Sequence, residues 1–239
     1  MFKKNKTTNQ GTSNGASLIT TTKPNSVVAE QFRTIRTNIQ FSMVDKELKS
    51  LIFTSSGPGE GKSTISANTA VVFASQGKRV LLVDADMRKP TVHKTFGIPN
   101  HEGLTTLLTE KDVKLSSVIR QGSNENLFIL TSGPVPPNPS ELLDSNKMNK
   151  IIDILEGAFD LVIFDMPPII TVTDSQIMAT KTDGTIFVVR SGVASKEALV
   201  KSRQLLEIVN ANVIGTVFNG VERTKDSAYK YYGLESDSI

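Results

Sequence analysis

The chain has 239 residues, of which 38% are hydrophobic and 21% charged, and its formal net charge is +3. The length suits one large α/β unit, and this composition supplies enough apolar surface for a folded core. The chain has no cysteine, which excludes disulfide scaffolds and thiolate sites. Its two histidines, His93 and His101, are too few for a histidine-rich metal centre. The small net charge does not indicate nucleic-acid binding.

The first 24 residues are polar and predict a flexible arm that ends at Pro24. Lys3, Lys4 and Lys6 are not followed by the apolar segment that a signal peptide needs. No apolar run approaches the roughly 18 residues that span a bilayer. We therefore expect a cytoplasmic protein.

A helix is predicted from the N-cap Ser26 to about residue 43. Its apolar side chains recur at spacings of four, three and four residues, at Val28, Phe32, Ile35 and Ile39. The polar side chains of this helix that lie opposite the stripe are Glu30, Arg33 and Arg36.

Short apolar runs without polar alternation then predict strands that are buried on both faces. These runs cover residues 51–54, 80–83, 127–130, 161–164, 186–189 and 213–217. Helices are predicted between them over residues 62–76, in short pieces within 102–120, over 140–155 with Ser140 as cap, from a capping box at 173–176, and over 196–209. The alternation predicts an α/β fold with a mostly parallel central sheet and helices on both faces, in one domain over residues 25–222.

Residues 56–64 read Ser-Gly-Pro-Gly-Glu-Gly-Lys-Ser-Thr and join a predicted strand to a predicted helix. Glycines let the backbone N–H groups converge on phosphate oxygens, and the helix N-terminus adds partial positive charge. Ser56 replaces the usual first glycine of this pattern, and a plain glycine-rich turn is the alternative. The pattern predicts that ATP is bound by Gly57, Gly59, Glu60, Gly61, Lys62, Ser63 and Thr64.

Within this loop, Lys62 is expected to reach the β- and γ-phosphates and Ser63 to bind Mg²⁺. Three aspartates follow predicted strands and should face the same crevice, because ligands of open parallel sheets bind beyond the carboxyl ends of the strands. With Ser63, the predicted ligands of Mg²⁺ are Asp84, Asp86 and Asp165. For any one of them alone, a helix cap or a turn would be the alternative.

All tyrosines of the chain lie in its last eleven residues, at Tyr229, Tyr231 and Tyr232. The segment around them has few apolar anchors, so residues 223–239 are predicted to be a mobile tail. A mobile tyrosine cluster on an ATP-binding protein suggests a phosphoryl acceptor. The alternative is a tail that docks on a partner through its aromatic rings.

Five features together resemble the bacterial tyrosine kinases (BY-kinases) of capsular and exopolysaccharide operons, in the cytoplasmic form whose membrane adaptor is a separate chain. They are a Walker A motif at 58–64, a Walker A′ motif at 82–88, a Walker B motif at 161–168, the segment 30–36 and the tyrosine-rich tail. The resemblance implies a P-loop NTPase-like fold. It also implies an ATP- and Mg²⁺-dependent protein-tyrosine kinase that phosphorylates its own tail and regulates polysaccharide biosynthesis and export.

For the chemistry, Lys62 is expected to stabilise charge on the transferred group, and Asp86 to accept the tyrosine proton, with Asp84 as the alternative acceptor. By resemblance, Asn219 occupies an adenine-reading position and Arg190 lines the same edge, although Asn219 with the following glycine also fits a turn. Arg88 and Lys89 either hold an acceptor or are solvated loop charges.

The resemblance assigns Glu30, Arg33 and Arg36 to the subunit contacts of a ring-shaped homo-oligomer, an octamer. An intrahelical Glu–Arg pair is the alternative. The resemblance further implies a transmembrane adaptor that activates the kinase and recruits it to the inner face of the membrane, and protein substrates that contain tyrosine.

Two other functions fit parts of the pattern. An ATPase switch of the MinD/ParA type would carry an early lysine in its loop, where this chain has Gly57-Pro58-Gly59, and would end in an amphipathic helix that is missing here. A regulator that binds nucleotide without catalysis is the second.

Overall fold

A computed structural model describes residues 15–42 and 47–221 of the chain. The tyrosines of the predicted tail, Tyr229, Tyr231 and Tyr232, lie outside the described residues, as do residues 1–14. The assignments made to the tail therefore stay predictions.

One sheet of seven strands forms the centre of the described residues. Its strands are β1 (Ser50–Ser55), β2 (Val80–Asp84), β3 (Ile119–Gln121), β4 (Leu127–Leu130), β5 (Leu161–Asp165), β6 (Gly184–Arg190) and β7 (Val213–Asn219). They lie in the order β3-β4-β2-β5-β1-β6-β7, and each neighbouring pair is parallel except β3 and β4. The predicted α/β class and mostly parallel sheet are confirmed, and every predicted strand is present.

Helices cover both faces of this sheet. They are α1 (Ile19–Thr22), α2 (Val27–Phe41), α3 (Lys62–Ala74), α4 (Val92–Phe96), α5 (Leu104–Thr109), α6 (Leu115–Val118), α7 (Pro139–Asp144), α8 (Asn146–Ala158), α9 (Asp174–Ala179) and α10 (Lys196–Ile208). One buried apolar cluster joins α2 and α3 to the sheet, and a second joins α5, α8 and α9 to the opposite face. Within the described ranges, no helix is long and apolar enough to cross a membrane.

Two helix predictions were wrong in detail. The helix predicted over residues 140–155 is two helices, because Ser145 takes an extended conformation and its hydroxyl accepts the N–H of Met148 as the N-cap of α8. The capping box predicted at Thr173 does not form. Thr173 is itself helical in conformation and makes no capping bond, while Gln176 donates to the carbonyl of Ile169 instead.

The buried stripe of α2 also differs from its prediction. Phe32 and Ile39 are buried as expected, but Val28 is 47% exposed, and Ala29 lies in the core in its place. Ser26 caps the helix as predicted, with its hydroxyl accepting the N–H of Ala29. The short antiparallel strand β3 had no signal in the sequence pattern.

The flexible arm predicted for residues 1–24 is wrong over residues 15–22. This segment forms the short helix α1 and packs on α3, with Thr20 buried and Leu18 and Ile19 against the core. Polar composition suggested an arm, but Thr20 finds a buried hydrogen-bond partner in Asn68.

Candidate active site

The phosphate-type loop lies where β1 ends and α3 begins. Gly59 and Gly61 have φ of +77° and +93°, a left-handed conformation that glycine adopts without strain. A Cβ atom added to Gly61 would lie 2.2 Å from Nδ2 of Asn219. The two glycines therefore allow both the curl of the loop and the close approach of β7.

Glu60 holds the loop together through its side chain. Its carboxylate is buried, accepts the N–H of Gly57 at 2.5 Å and the hydroxyl of Ser56, and takes a longer bond from the N–H of Arg190 at 3.3 Å. The Glu60 side chain is thus directed into the loop, and the prediction that the Glu60 backbone helps to bind nucleotide stays a prediction. The N–H of Gly57 is likewise engaged by Glu60 in this arrangement.

Arg190 and Asn219 end two neighbouring strands and face each other in the β6–β7 register. The Arg190 guanidinium donates to the Gly59 carbonyl at 3.0 Å, and the Asn219 amide donates to the Glu60 carbonyl at 2.9 Å. Both predicted residues thus reach the loop. Their contacts with its backbone show that they brace it from the side of β6 and β7.

Lys62 opens α3 and points toward the strand-end carboxylates. Its Nζ lies 3.2 Å from Oδ2 of Asp86, and both side chains are largely buried, 13% and 6% exposed. Burial alone would lower the pKa of Lys62, but the charges of Asp165, Asp86 and Asp84 outweigh it and raise this pKa. The lysine is therefore held as a cation beside the loop.

Asp84 and Asp165 lie opposite each other at the ends of β2 and β5, and both are fully buried. Oδ2 of Asp84 accepts the N–H groups of Thr91 and Val92, at 3.0 and 2.9 Å, and Oδ1 of Asp165 accepts the Ser66 hydroxyl. The other oxygen of each carboxylate has no hydrogen-bond partner. Burial, and then the charge of Asp165, raise the pKa of Asp84 to about 8, and burial also raises the pKa of Asp165.

Two unpartnered buried carboxylate oxygens beside a lysine fit a bound cation, because a positive charge would offset the desolvation of both acids. Within the described part of the chain, no group of three or more histidine, cysteine or acidic side chains could hold a metal by itself. This fits Mg²⁺, which takes few protein ligands and completes its shell with phosphate and water. The two histidines, His93 and His101, belong to no such group either.

Asp84→Asn should stabilise the nucleotide-free and metal-free protein at alkaline pH. The folded pKa of Asp84 lies near 8, above its ordinary 3.8. The unfolded chain therefore loses its proton first, and the folded state is progressively disfavoured as the pH rises from about 4 to 8. Thermal melts should show the variant more stable than wild type by a few kcal/mol, roughly, at pH 8, with the gain shrinking toward pH 5. An equal gain in stability at pH 5 and pH 8 would contradict the assignment of the effect to ionisation of Asp84. Asp153→Asn, at an exposed position, is the control and should change stability little at either pH.

Arg88 does not face the loop as a free cation. Its Nε and Nη2 bond both carboxylate oxygens of Asp174 at 2.9 and 3.0 Å, and Nη2 also bonds Ser140. The Asp174 side chain is fully buried. The pair ties the loop after β2 to α7 and α9, so Arg88 is not a freely solvated charge, and a role for it toward an acceptor stays a prediction. Lys89 is exposed, and its backbone N–H donates to Oδ1 of Asp86.

The predicted interface residues lie together on α2. Glu30 and Arg33 form an ion pair one turn apart, and the Arg33 guanidinium also donates to the Pro24 carbonyl. Arg36 reaches the Val72 carbonyl at 3.4 Å, while its Nε is buried without a partner. The intrahelical pair of the alternative is thus present, and it leaves both charged heads partly exposed.

The sequence analysis missed the residues that hold the site from outside its motifs. Asp174, Ser66 and Ser140 each contact a motif residue that is distant in sequence. Asp174 was identified only as part of a capping box. An aspartate in the first turn of a predicted helix does not indicate that it pairs with an arginine 86 positions earlier in the chain, as Asp174 does with Arg88.

Known proteins match both the motifs and the fold. A family described as an AAA domain matches residues 48–213. Tyrosine-protein kinase YwqD of Bacillus subtilis (strain 168) is 45% identical over 229 residues, which cover 96% of each protein. The structure of the chimerical protein CapA2B2 is 42% identical with a TM-score of 0.83, covering 86% of this chain and 90% of that one.

The kinase domain of the Escherichia coli tyrosine kinase ETK gives the same TM-score, 0.83, at 31% identity, and covers 90% of this chain and 85% of that domain. The septum site-determining protein MinD of Pyrococcus horikoshii is 22% identical with a TM-score of 0.61, covers 76% of each chain, and shows a shared fold alone. The tyrosine kinases are thus similar over nearly the whole length, in sequence as well as in fold. The chain belongs to the bacterial tyrosine-protein kinases.

Proposed function

We propose that this protein transfers the terminal phosphoryl group of ATP to tyrosine hydroxyls, including those of Tyr229, Tyr231 and Tyr232, and thereby regulates capsular or exopolysaccharide biosynthesis and export. The observation that carries the proposal is the position of Lys62. Its ammonium lies at the mouth of a glycine loop and against the carboxylates of two strand ends. A phosphoryl transfer needs this juxtaposition of anion-binding donors, a fixed cation and proton-accepting groups.

Lys62 and the N–H groups of the α3 N-terminus would bind and orient the phosphates. Mg²⁺, when bound, supplies charge neutralisation at the phosphate oxygens, and Ser63 with the free oxygens of Asp84 and Asp165 would hold it or its water ligands. Arg190 and Asn219 would keep the loop in its binding shape and border the nucleotide.

Asp86 is better placed than Asp84 to accept the tyrosine proton. Asp84 is fully buried, and its free Oδ1 is the oxygen proposed above to hold Mg²⁺ or its water ligands. Asp86 lies beyond the end of β2, next to Lys62. Its carboxylate can orient the hydroxyl and take its proton late in the step, since tyrosine ionises near pH 10 in water.

Incubation with labelled ATP and Mg²⁺, followed by mass spectrometry of residues 226–239, tests the proposal. Phosphotyrosine should form on the tail and fall about 100-fold or more in Asp86→Ala. A variant with all three tyrosines changed to phenylalanine should still bind ATP and lose the tail label. Release of phosphate without labelling of the tail would favour the MinD-like switch. Nucleotide binding with neither phosphate release nor tail labelling would favour a regulator without catalysis.

We also propose that the subunits form a ring through the polar arc of α2, with the tail of one subunit entering the site of its neighbour. Support comes from the charged heads of Glu30 and Arg33, which lie partly exposed on this face of α2. Each phosphorylation adds about −1.5 to −2 charges near Asp84 and Asp86, so a labelled tail should leave and the ring should loosen. A transmembrane adaptor would bring the ring to the membrane and activate it.

Arg33→Ala should reduce the ring to smaller species and slow tail labelling at least ~10-fold, because the acceptor would no longer be delivered by a neighbour. Light scattering with and without ATP measures the mass. Arg203→Ala is the matched control, since Arg203 pairs with Glu207 on the exposed face of α10. An unchanged mass in Arg33→Ala, or a wild-type mass unaffected by ATP, would count against the ring.

A further inference from the structure

We propose that residues 15–22, the N-terminal strap, are a positioning element of the nucleotide site, and that Asn68 is the positioning residue that couples the strap to the phosphate loop. The inference deepens the proposed function, on which it rests, because the coupled event is nucleotide binding. It concerns a segment that the sequence pattern assigned to a flexible arm.

Asn68 lies in α3, the helix that the phosphate loop opens, and it is fully buried. Its Oδ1 accepts two bonds from Thr20, from the backbone N–H at 3.1 Å and from the hydroxyl at 2.8 Å. Its Nδ2 donates to the Ser17 carbonyl at 2.8 Å and to the Thr64 carbonyl at 2.9 Å. The amide thus uses its full hydrogen-bonding capacity, with three bonds to the strap and one to Thr64 in the first turn of α3, where the phosphate loop runs into the helix.

An asparagine is a costly choice at this position. It has a lower helix propensity than alanine or leucine, and the flanking residues of α3 are buried. A buried amide is tolerated only when it is hydrogen-bonded, so removal of the strap would leave Asn68 with unsatisfied groups unless water or a rearrangement replaced them. Docking of the strap and the native position of Asn68 are therefore linked, and Asn68 is bonded directly to Thr64.

A second anchor connects the strap to the other side of the site. The N–H of Ala16 donates to the Thr95 hydroxyl at 2.8 Å, and a Cβ on Gly15 would lie 2.9 Å from the backbone of Lys94. Both contacts are on α4, whose N-cap Thr91 and first residue Val92 donate their N–H groups to Asp84. The strap therefore spans the two helices that begin at the phosphate loop and after the Asp84–Asp86 loop.

An element that contacts both helices can set their separation, and with it the distance between the loop and the carboxylates. If nucleotide binding favours the separation that the docked strap imposes, then the docked strap favours nucleotide binding by the same factor. Release of the strap would weaken nucleotide binding without changing any residue that touches the nucleotide.

The test uses the full chain, Mg-ADP as the probe, and three variants. Thr20→Val removes one bond to Asn68 and keeps the shape of the side chain. Asn68→Leu removes all four bonds. Thr21→Val is the matched control, because Thr21 is on the same short helix but exposed. Calorimetry gives the ADP affinity, and hydrogen exchange with mass spectrometry gives the protection of residues 15–22 with and without ADP.

In the wild type, saturating ADP should slow exchange of the strap amides about fivefold or more, and Thr20→Val should bind ADP about fivefold more weakly, while Thr21→Val matches wild type in both respects. In Asn68→Leu the strap amides should no longer respond to ADP. If that variant fails to fold, Thr20→Val still decides the matter.

ADP that protects the loop at residues 57–64 and leaves the strap unchanged would overturn the coupling while the proposed function stands. Equal ADP affinity in Thr20→Val and wild type would overturn it as well. A wild-type chain that binds no ADP would overturn both.

Discussion

Lys62→Met should abolish phosphorylation of the tail, with kcat falling at least ~1,000-fold. Methionine keeps much of the length and apolar character of the lysine stem and removes the ammonium, whose Nζ lies 3.2 Å from Oδ2 of Asp86. Without it, charge on the transferred phosphoryl group would meet three carboxylates and no compensating side chain from the loop. Single-turnover labelling of residues 226–239, read by mass spectrometry, measures the loss.

Loss of a buried cation also affects the fold, because Asp86 and Asp165 would lose the partner that offsets their burial. Lys62→Arg separates the two effects. It keeps the charge, but its planar guanidinium does not reproduce a compact ammonium, so activity should still fall about 100-fold while the melting temperature stays closer to wild type. Lys181→Met is the control, since Lys181 pairs with Asp144 away from the site. A folded Lys62→Met that kept more than a tenth of the wild-type rate would contradict the assigned role.

The sequence pattern was sufficient to predict those features of the fold and site that depend on neighbouring residues and on general rules of sheet topology. Each apolar run became a strand because a strand covered on both faces has no polar alternation. The convergence of Asp84 and Asp165 also followed, since both end parallel strands that turn out to pair directly, with the two aspartates in register. The loop at residues 56–64 was readable because strand, glycines and helix are adjacent in the chain.

The contacts that hold this site from a distance were not predictable in the same way. Arg88 and Asp174, or Thr20 and Asn68, are separated by 86 and 48 positions, and no local periodicity links them. The motif gave no sign that the Glu60 carboxylate accepts the N–H of Gly57, because that contact depends on the curl of the loop. The break at Ser145 was missed because serine fits both a helix interior and an N-cap, and only its extended backbone distinguishes them.

Gly61→Ala should have the second large effect, on binding and stability together. Gly61 has φ of +93°, which strains any other residue, and its added Cβ would lie 2.2 Å from the Asn219 amide that braces the Glu60 carbonyl. Either the loop or the Asn219 side chain must move, and movement of that side chain breaks its bond to the Glu60 carbonyl. We expect nucleotide binding at least ~100-fold weaker, because N–H groups that converge on phosphate tolerate little displacement, and a stability loss of about 2–3 kcal/mol.

Three further variants separate strain from collision in this effect. Gly59→Ala meets a positive φ but open space, so it should be affected less than Gly61→Ala, and Gly157→Ala, in α8 with open space and an ordinary φ, should be neutral or stabilise by about 0.5–1 kcal/mol. Asn219→Gly combined with Gly61→Ala removes the colliding amide, and calorimetric ADP titrations should show partial recovery relative to Gly61→Ala alone. If the double variant bound no better, backbone strain at Gly61 would account for the whole effect, and the close approach of β7 would not constrain the loop.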